Sequence, residues 1–502
     1  MGIRPATPDL EAVRQDLSRF IRELGLEYYT HFSGQKEKLE IGPIYERYGH
    51  LFSRDLARNC LNRRELADNP EEKRTWKHLH QFAFNGHIGD LTKGIVESLA
   101  KRQGEMTVTV KGEEIRYHSI YSRLINETDR ETRREIDDEQ AKLEVELDKL
   151  RLEKWHITHD VYREFGYSSY AEGCRSVSGV DYDWLSSELG AFLEKTRDAY
   201  AESFDKFCRE RLGYPLAEAS KCDMGYLMRG EGWDSLFPGE GMARRASAFL
   251  SDLGMPIEMV PAVRLDIEER EKKRPRAFCQ AVEVGREVYV CVRPTGGLSD
   301  YLTFLHELGH AYHFAHTDPE MPSELTLVGD SATSEIFAFS FNYLGSDPAW
   351  LQAFMKMGDP SPIVEFLRLQ KLYMLRRYAS KFLYELELHK DYKIEGRQGL
   401  YPEYLNAGLV VSHRPEHWLY DLDDAFYSAG YLRAWIFEMQ MRDYLKKEFG
   451  EDWWRNPAAG ELLRRYWGTG RMYMPEEMAY EMCDKPLDLG PVTNEVLTSK
   501  AV

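Results

Sequence analysis

Residues 298–316 read LSDYLTFLHELGHAYHFAH. Leu302, Leu305, Leu308 and Tyr312 recur at helical spacing. The stretch therefore predicts one helix, with Ser299 as its N-cap and Asp300 in its first turn. His306 and His310 are four residues apart, so on that helix they point the same way, one turn from each other. Two neutral imidazoles so placed are a ready pair of zinc ligands. Glu307 lies between them and is turned aside, able to reach a water on the metal without ligating it. Apolar residues on both flanks predict a buried helix, and buried histidines need partners.

A third ligand decides what kind of site this is. His316 completes the spacing of metzincin proteases, but that arrangement needs a glycine three residues after the second histidine, and His313 stands there. On a continuing helix His316 faces roughly 240° away from His310, and it is rejected. Downstream the chain breaks at Asp318-Pro319 and Met321-Pro322, then resumes helix at SATSEIFAFSFNYLG, residues 331–345, with Ser331 as cap and Gly345 as stop. Glu335 is an acid one turn into this apolar helix, and a carboxylate there needs a strong reason, of which a metal is one. Glu320, Glu324 and Asp330 compete with it from the less regular connection.

HELGHAYHFAH followed by SEIFAFSFNYL resembles the thimet oligopeptidase and oligoendopeptidase F family of zinc metallopeptidases, the gluzincins. The resemblance implies one zinc per chain on His306, His310 and Glu335, with Glu307 as general base. It implies a mainly α-helical zincin with helical lobes around a deep channel, a small β-sheet beside the zinc helix, and short peptides as substrates. Residues 413–431, HRPEHWLYDLDDAFYSAGY, are similar to the family's second active-site segment, which puts His417 and Tyr427 forward as oxyanion donors and Tyr431 as a substrate contact. Leu419, Asp423 and Ala425 stand where relatives carry tyrosine, and this leaves a hydrolase of small non-peptide amides, or a weak peptide-binding homologue, as the alternative. Arg276-Ala277-Phe278 stands where the family has a Gly-Ala-Tyr-like turn. Ala277, Phe278 and Tyr289 are the further candidate substrate contacts. The tail LLRRYWGTGRMYMPEEMAYEMCDKPLDLG resembles the family's Gly-rich loop and closing helix. The likeness runs from about residue 120 to the end and is strongest over 276–345.

The chain of 502 residues is long enough for a large core, and its net charge of −18 argues against nucleic acid or an anionic membrane as partner. No apolar stretch is long enough to span a bilayer. The start MGIRPATPDLEAVRQDL has no hydrophobic signal core, and Ala6 stands where myristoylation wants Ser or Thr, so a cytoplasmic location is expected. Seven scattered cysteines without a CxxC read as reduced thiols.

Working outward, residues 8–33 and 40–66 read as amphipathic helices. Residues 106–117 alternate around Lys111-Gly112 and predict a hairpin. Thr128 to Glu131 reads as a capping box that opens a long charged helix, which ends at Phe165-Gly166. The small, polar stretch 166–181 is the expected boundary between an N-terminal helical region, 1–175, and a catalytic region, 176–502. A helix is expected from Asp181 to Leu212. The β signal comes just before the zinc helix, in 256–267 and in a hairpin over 276–294 turning near Gly285. Its edge strand is expected to hydrogen-bond an extended peptide.

Overall fold

The computed structural model describes residues 9–497; the Met-Gly start and Ala6 lie outside them. The protein is mainly helical. The helices that frame the site are α1 (Leu10–Phe32), α2 (Pro70–Glu105), α3 (Arg130–Glu164), α4 (Tyr170–Ser178), α5 (Leu298–His316), α6 (Ser331–Leu344), α7 (Ser361–Leu388), α8 (Tyr427–Phe449) and α9 (Gly490–Leu497). No helix among the described residues is long and apolar enough to cross a membrane.

Several starts fall where side-chain chemistry puts them. The Asp9 carboxylate accepts from the Glu11 N–H at the head of α1, and Asn69 caps α2 ahead of Pro70. The α3 cap is Asp129, one residue later than the box read from Thr128, because its carboxylate reaches the Thr132 N–H at 3.0 Å and also accepts from Lys111. The stretch 166–181 is helical over its middle, Tyr170–Ser178. Tyr170, Cys174 and Val177 recur at i, i+4 and i+7 and are buried, making α4 a helix whose other face is small and polar. Tyr170 packs edge-on against Trp155 of α3 and within 4.6 Å of the His389 ring, so aromatic packing runs across residue 175. The helix expected over 181–212 is two, Tyr182–Lys195 and Arg197–Leu212. Buried Thr196 breaks it: its hydroxyl turns back to the Phe192 carbonyl and also receives Arg376 from α7.

Strands β1 (Thr107–Val110) and β2 (Glu113–Arg116) form the expected hairpin, with Lys111 and Gly112 both at positive φ in the turn. The second sheet has the order β3–β5–β4, from β3 (Val263–Asp266), β4 (Phe278–Glu283) and β5 (Glu287–Cys291). The antiparallel β4–β5 hairpin turns through Gly285, at φ 72°, while β3 joins β5 in parallel. Val288 and Val290 are fully buried beneath α5, and α1 crosses β4 from the other side. Register pairs Cys279 with Val290 and Cys291 with Phe278, so the two thiols are not opposite each other, and all seven cysteines are free.

Candidate metal centre

Helix α5 begins at Leu298 behind Gly297, whose φ of 99° suits glycine, rather than at a Ser299 cap. Leu305, Leu308 and Tyr312 turn one face into the core, which leaves His306 and His310 for the neighbouring α6. That helix is capped by Asp330, which accepts from the Ala332 N–H, one residue before the expected Ser331. Glu335 then lies one turn in.

What brings the two helices together is Gly309. A Cβ there would sit 2.4 Å from the Phe337 carbonyl oxygen and 2.6 Å from the Ala338 Cα, so the backbones of α5 and α6 touch with no side chain between them. Glu335 Oε2 consequently lies 3.3 Å from His306 Nε2 and 3.6 Å from His310 Nε2. The three donor atoms are all within 4.8 Å of one another, and the imidazole planes stand at 87°. Zinc bonds of about 2.0–2.1 Å at a tetrahedral angle set neighbouring donors about 3.3–3.4 Å apart, so the trio has the dimensions of a zinc cage with a fourth position open.

Two further observations fit a cation. Glu335 Oε2 is buried without a hydrogen-bond partner, an expensive state for a carboxylate that a metal relieves. Burial pushes the His310 pKa down to about 3, so its Nε2 presents a lone pair, while Nδ1 is 2.7 Å from the Ser334 hydroxyl, which fixes the ring. Burial would raise Glu335, but the His306 and His310 imidazoles and Arg471 outweigh it and hold the carboxyl below its ordinary value. The competitors are committed elsewhere: Glu324 to Arg14, Asp330 to Arg433 and Glu320 to Arg286. His316 is outside the trio, with Nδ1 bonded to the Tyr312 carbonyl and its ring against Trp467.

Glu307 stands beside the trio. Burial raises its pKa, and Oε2 accepts the Cys279 N–H of β4 at 2.8 Å. This bears on the edge strand. β4 is the sheet's edge, but its Cys279 amide is taken by Glu307, and Gly25 of α1 lies so close that a Cβ there would be 2.9 Å from the Ala281 carbonyl. The edge read from sequence as open to a peptide is partly covered, and the cover comes from a helix more than 250 residues away in sequence.

Of the second segment, Tyr427 and Tyr431 come to the site. Their rings are 4.8 Å apart, and Tyr431 packs on Phe339, which packs on His306 at 5.3 Å. Burial and the Glu335 charge raise both phenols, so each keeps its proton at neutral pH. His417 is not brought to the trio. It is 1% exposed, with Nε2 3.4 Å from Asp137 of α3 and its ring against Tyr420. Ala277 precedes β4 and Phe278 opens it, next to the amide that holds Glu307, while Tyr289 faces away, stacked on Tyr29 at 3.5 Å and bonded to Arg264. Ser334 and Phe339 were not singled out from sequence, although each lies next to Glu335 or one turn from it.

The Gly309 contact makes a direct expectation. Gly309→Ala overpacks two backbones that cannot yield as a side chain would, and overpacking costs about 1–3 kcal/mol. Thermal melts should show that loss, and a zinc titration should show weaker binding, because α6 carries Glu335. A variant with parent stability and parent zinc affinity would mean that the helices do not touch in this way.

No protein-family model matches the sequence, and no curated protein is detectably similar to it. Solved structures do match in fold. A Pyrococcus furiosus carboxypeptidase aligns at a TM-score of 0.62 and 13% identity, over 98% of this chain and 99% of that one. A Bacillus anthracis protein described as an oligoendopeptidase F aligns at 0.62 and 14%, over 98% and 96%. PZ peptidase A, solved with an inhibitor, aligns at 0.62 and 14%, over 98% and 97%. The chain thus shares the mainly helical fold of these solved structures, with a small sheet beside the HELGH helix.

Proposed function

We propose that the chain is a zinc-dependent metallopeptidase that hydrolyses peptide bonds in short, unfolded peptides. The observation that carries this is the convergence of His306 Nε2, His310 Nε2 and the unpartnered Glu335 Oε2, with a second carboxylate, Glu307, held beside them. The fold supports it, since the neighbours with this architecture are described as a carboxypeptidase, an oligoendopeptidase F and PZ peptidase A.

Zinc held by His306, His310 and Glu335 would supply Lewis acidity, lowering the pKa of a water and polarising the scissile carbonyl. The residues do the rest. His306 and His310 offer their Nε2 atoms as donors, and Ser334 orients the second. Glu307 takes the proton of the attacking water and passes it to the leaving amine. The Cys279 amide aims that carboxylate until the proton is transferred. Tyr427 is 46% exposed and protonated, so it can donate to the carbonyl oxygen as negative charge gathers there. Tyr431, one turn on, holds the peptide. Ala277 and Phe278 line the approach. The helical lobes wall a channel that admits short peptides and excludes folded proteins, and the setting is cytoplasmic. Leu419 is buried and Asp423 is paired with Lys381, so these departures from the family pattern sit outside the trio and do not favour the amide-hydrolase alternative.

Metal analysis together with a mixed peptide library, its products read by mass spectrometry, tests this reading. The expected result is one zinc per chain and chelator-sensitive cleavage of peptides of about ten residues, roughly 33 Å when extended, with stable folded proteins left intact. A zinc-loaded protein that cuts no peptide refutes it. Tyr427→Phe should lower kcat by roughly 10²–10³ with zinc content unchanged, and Tyr431→Phe should act mainly on KM. Parent turnover in Tyr427→Phe would remove that phenol from the chemistry.

A further inference from the structure

One half-buried cation near the trio has no task in this scheme. Arg471 lies in the loop between Trp467 and the helix that starts at Pro475, and the loop is pinned on all sides. His313 Nε2 of α5 donates to the Gly470 carbonyl at 3.0 Å, the Arg471 N–H reaches the Leu325 carbonyl, and Thr333 of α6 donates to the Tyr473 carbonyl. The Arg471 side chain is held as firmly. Nη1 donates to the Leu327 carbonyl at 2.7 Å, and the guanidinium lies over the Phe314 ring at 5.5 Å. Phe314 in turn stacks on the metal ligand His310, 5.9 Å away and nearly parallel.

What Arg471 lacks is an anion. Its Nε is buried without a partner, and it makes no ion pair with any carboxylate among the described residues. The two carboxylates whose charge it feels, Glu335 and Asp330, are both committed: Asp330 binds Arg433 at 2.8 Å and caps α6, and Glu335 belongs to the trio. A half-buried guanidinium without a counter-ion is costly, and its planar fork matches a carboxylate.

We propose that Arg471 binds a carboxylate of the substrate, so that the site selects peptides bearing a negative charge close to the scissile bond. The inference rests on the peptidase reading above and names its substrate class. A carboxylate can come from the peptide's own C-terminus or from an Asp or Glu side chain.

Three matched short peptides separate these sources: one with a free C-terminal carboxylate, the same sequence as its C-terminal amide, and an amide ending in glutamate. The kcat/KM of the parent should favour the free acid over the plain amide by roughly 10- to 100-fold, the range of a charged hydrogen bond. Recovery by the glutamate amide assigns the side-chain carboxylate, and no recovery assigns the terminal one. Arg471→Gln should collapse the acid-to-amide ratio, mostly through KM, with zinc content retained, and Arg471→Lys should keep part of it. Calorimetric titration of the same peptides into Glu307→Gln protein, with and without Arg471→Gln, reads binding apart from turnover. Equal use of all three peptides by the parent, or a preference that is unchanged in Arg471→Gln, overturns the proposal while leaving the peptidase reading intact. Acid-selective, Arg471-dependent binding in a protein that cleaves nothing does the reverse. The parent's own preference and the lysine variant keep the test decisive even where Arg471→Gln fails to fold.

Discussion

Glu307→Gln should hold its zinc and all but stop turning over peptide. The carboxamide has the shape of the carboxylate, and its oxygen can still accept the Cys279 N–H that positions the group. Neither His306, His310 nor Glu335 is touched, so elemental analysis should find the parent metal content. What is lost is the capacity to take a proton, and general-base catalysis of this kind contributes roughly 10²–10⁴-fold. The deficit should appear in kcat with little change in KM, since the group acts on the water and not on peptide binding. Burial strengthens the expectation, because a carboxyl pushed above its ordinary pKa is a better base at neutral pH. Hydrolysis at near-parent rates would take Glu307 out of the mechanism.

Glu335→Ala should act one step earlier and abolish both zinc and turnover. Two histidines remain, but the atom 3.3 and 3.6 Å from them is gone, and two donors do not close a tetrahedral site. A ligand that binds only the folded state stabilises it by mass action, so zinc should raise the parent's melting temperature and chelator should lower it. The variant should respond to neither. Without metal, the order should narrow or reverse, because the substitution also deletes a buried carboxylate oxygen that has no partner. His316→Ala is the matched control, and zinc retained by Glu335→Ala but lost by His316→Ala would mean that the ligand set is wrong.

The features legible in the sequence are those with local causes. Helical spacing marked α5, an acid in an apolar run marked Glu335, and alternation around Lys111-Gly112 and Gly285 marked both hairpins. Caps missed by a residue or two because adjacent Ser, Thr and Asp compete for the same amides, and only the packed backbone chooses between Thr128 and Asp129 or Ser331 and Asp330. Helix α4 was hidden by its polar face, and the break at Thr196 by the Arg376 that reaches it from 180 residues away. The position of His417 was hidden for a related reason. Register with a resembled segment places a residue along the chain, but Asp137 on α3 decides which way it turns. The cover on β4 by Gly25 and the isolation of Arg471 likewise depend on contacts that no window of sequence contains.

The contact at Gly309 bears on how such a centre survives change. Most cores hold their helices apart by the volumes of interdigitating side chains, so each replacement nudges the spacing. Here the spacer is main chain on main chain, and every amino acid at 337 and 338 carries the same carbonyl and nearly the same Cα. The separation of the donors is thereby uncoupled from the composition of the surrounding core. The core can drift a long way in sequence, one methylene at a time, while the ruler between α5 and α6 keeps its length, provided one position stays bare.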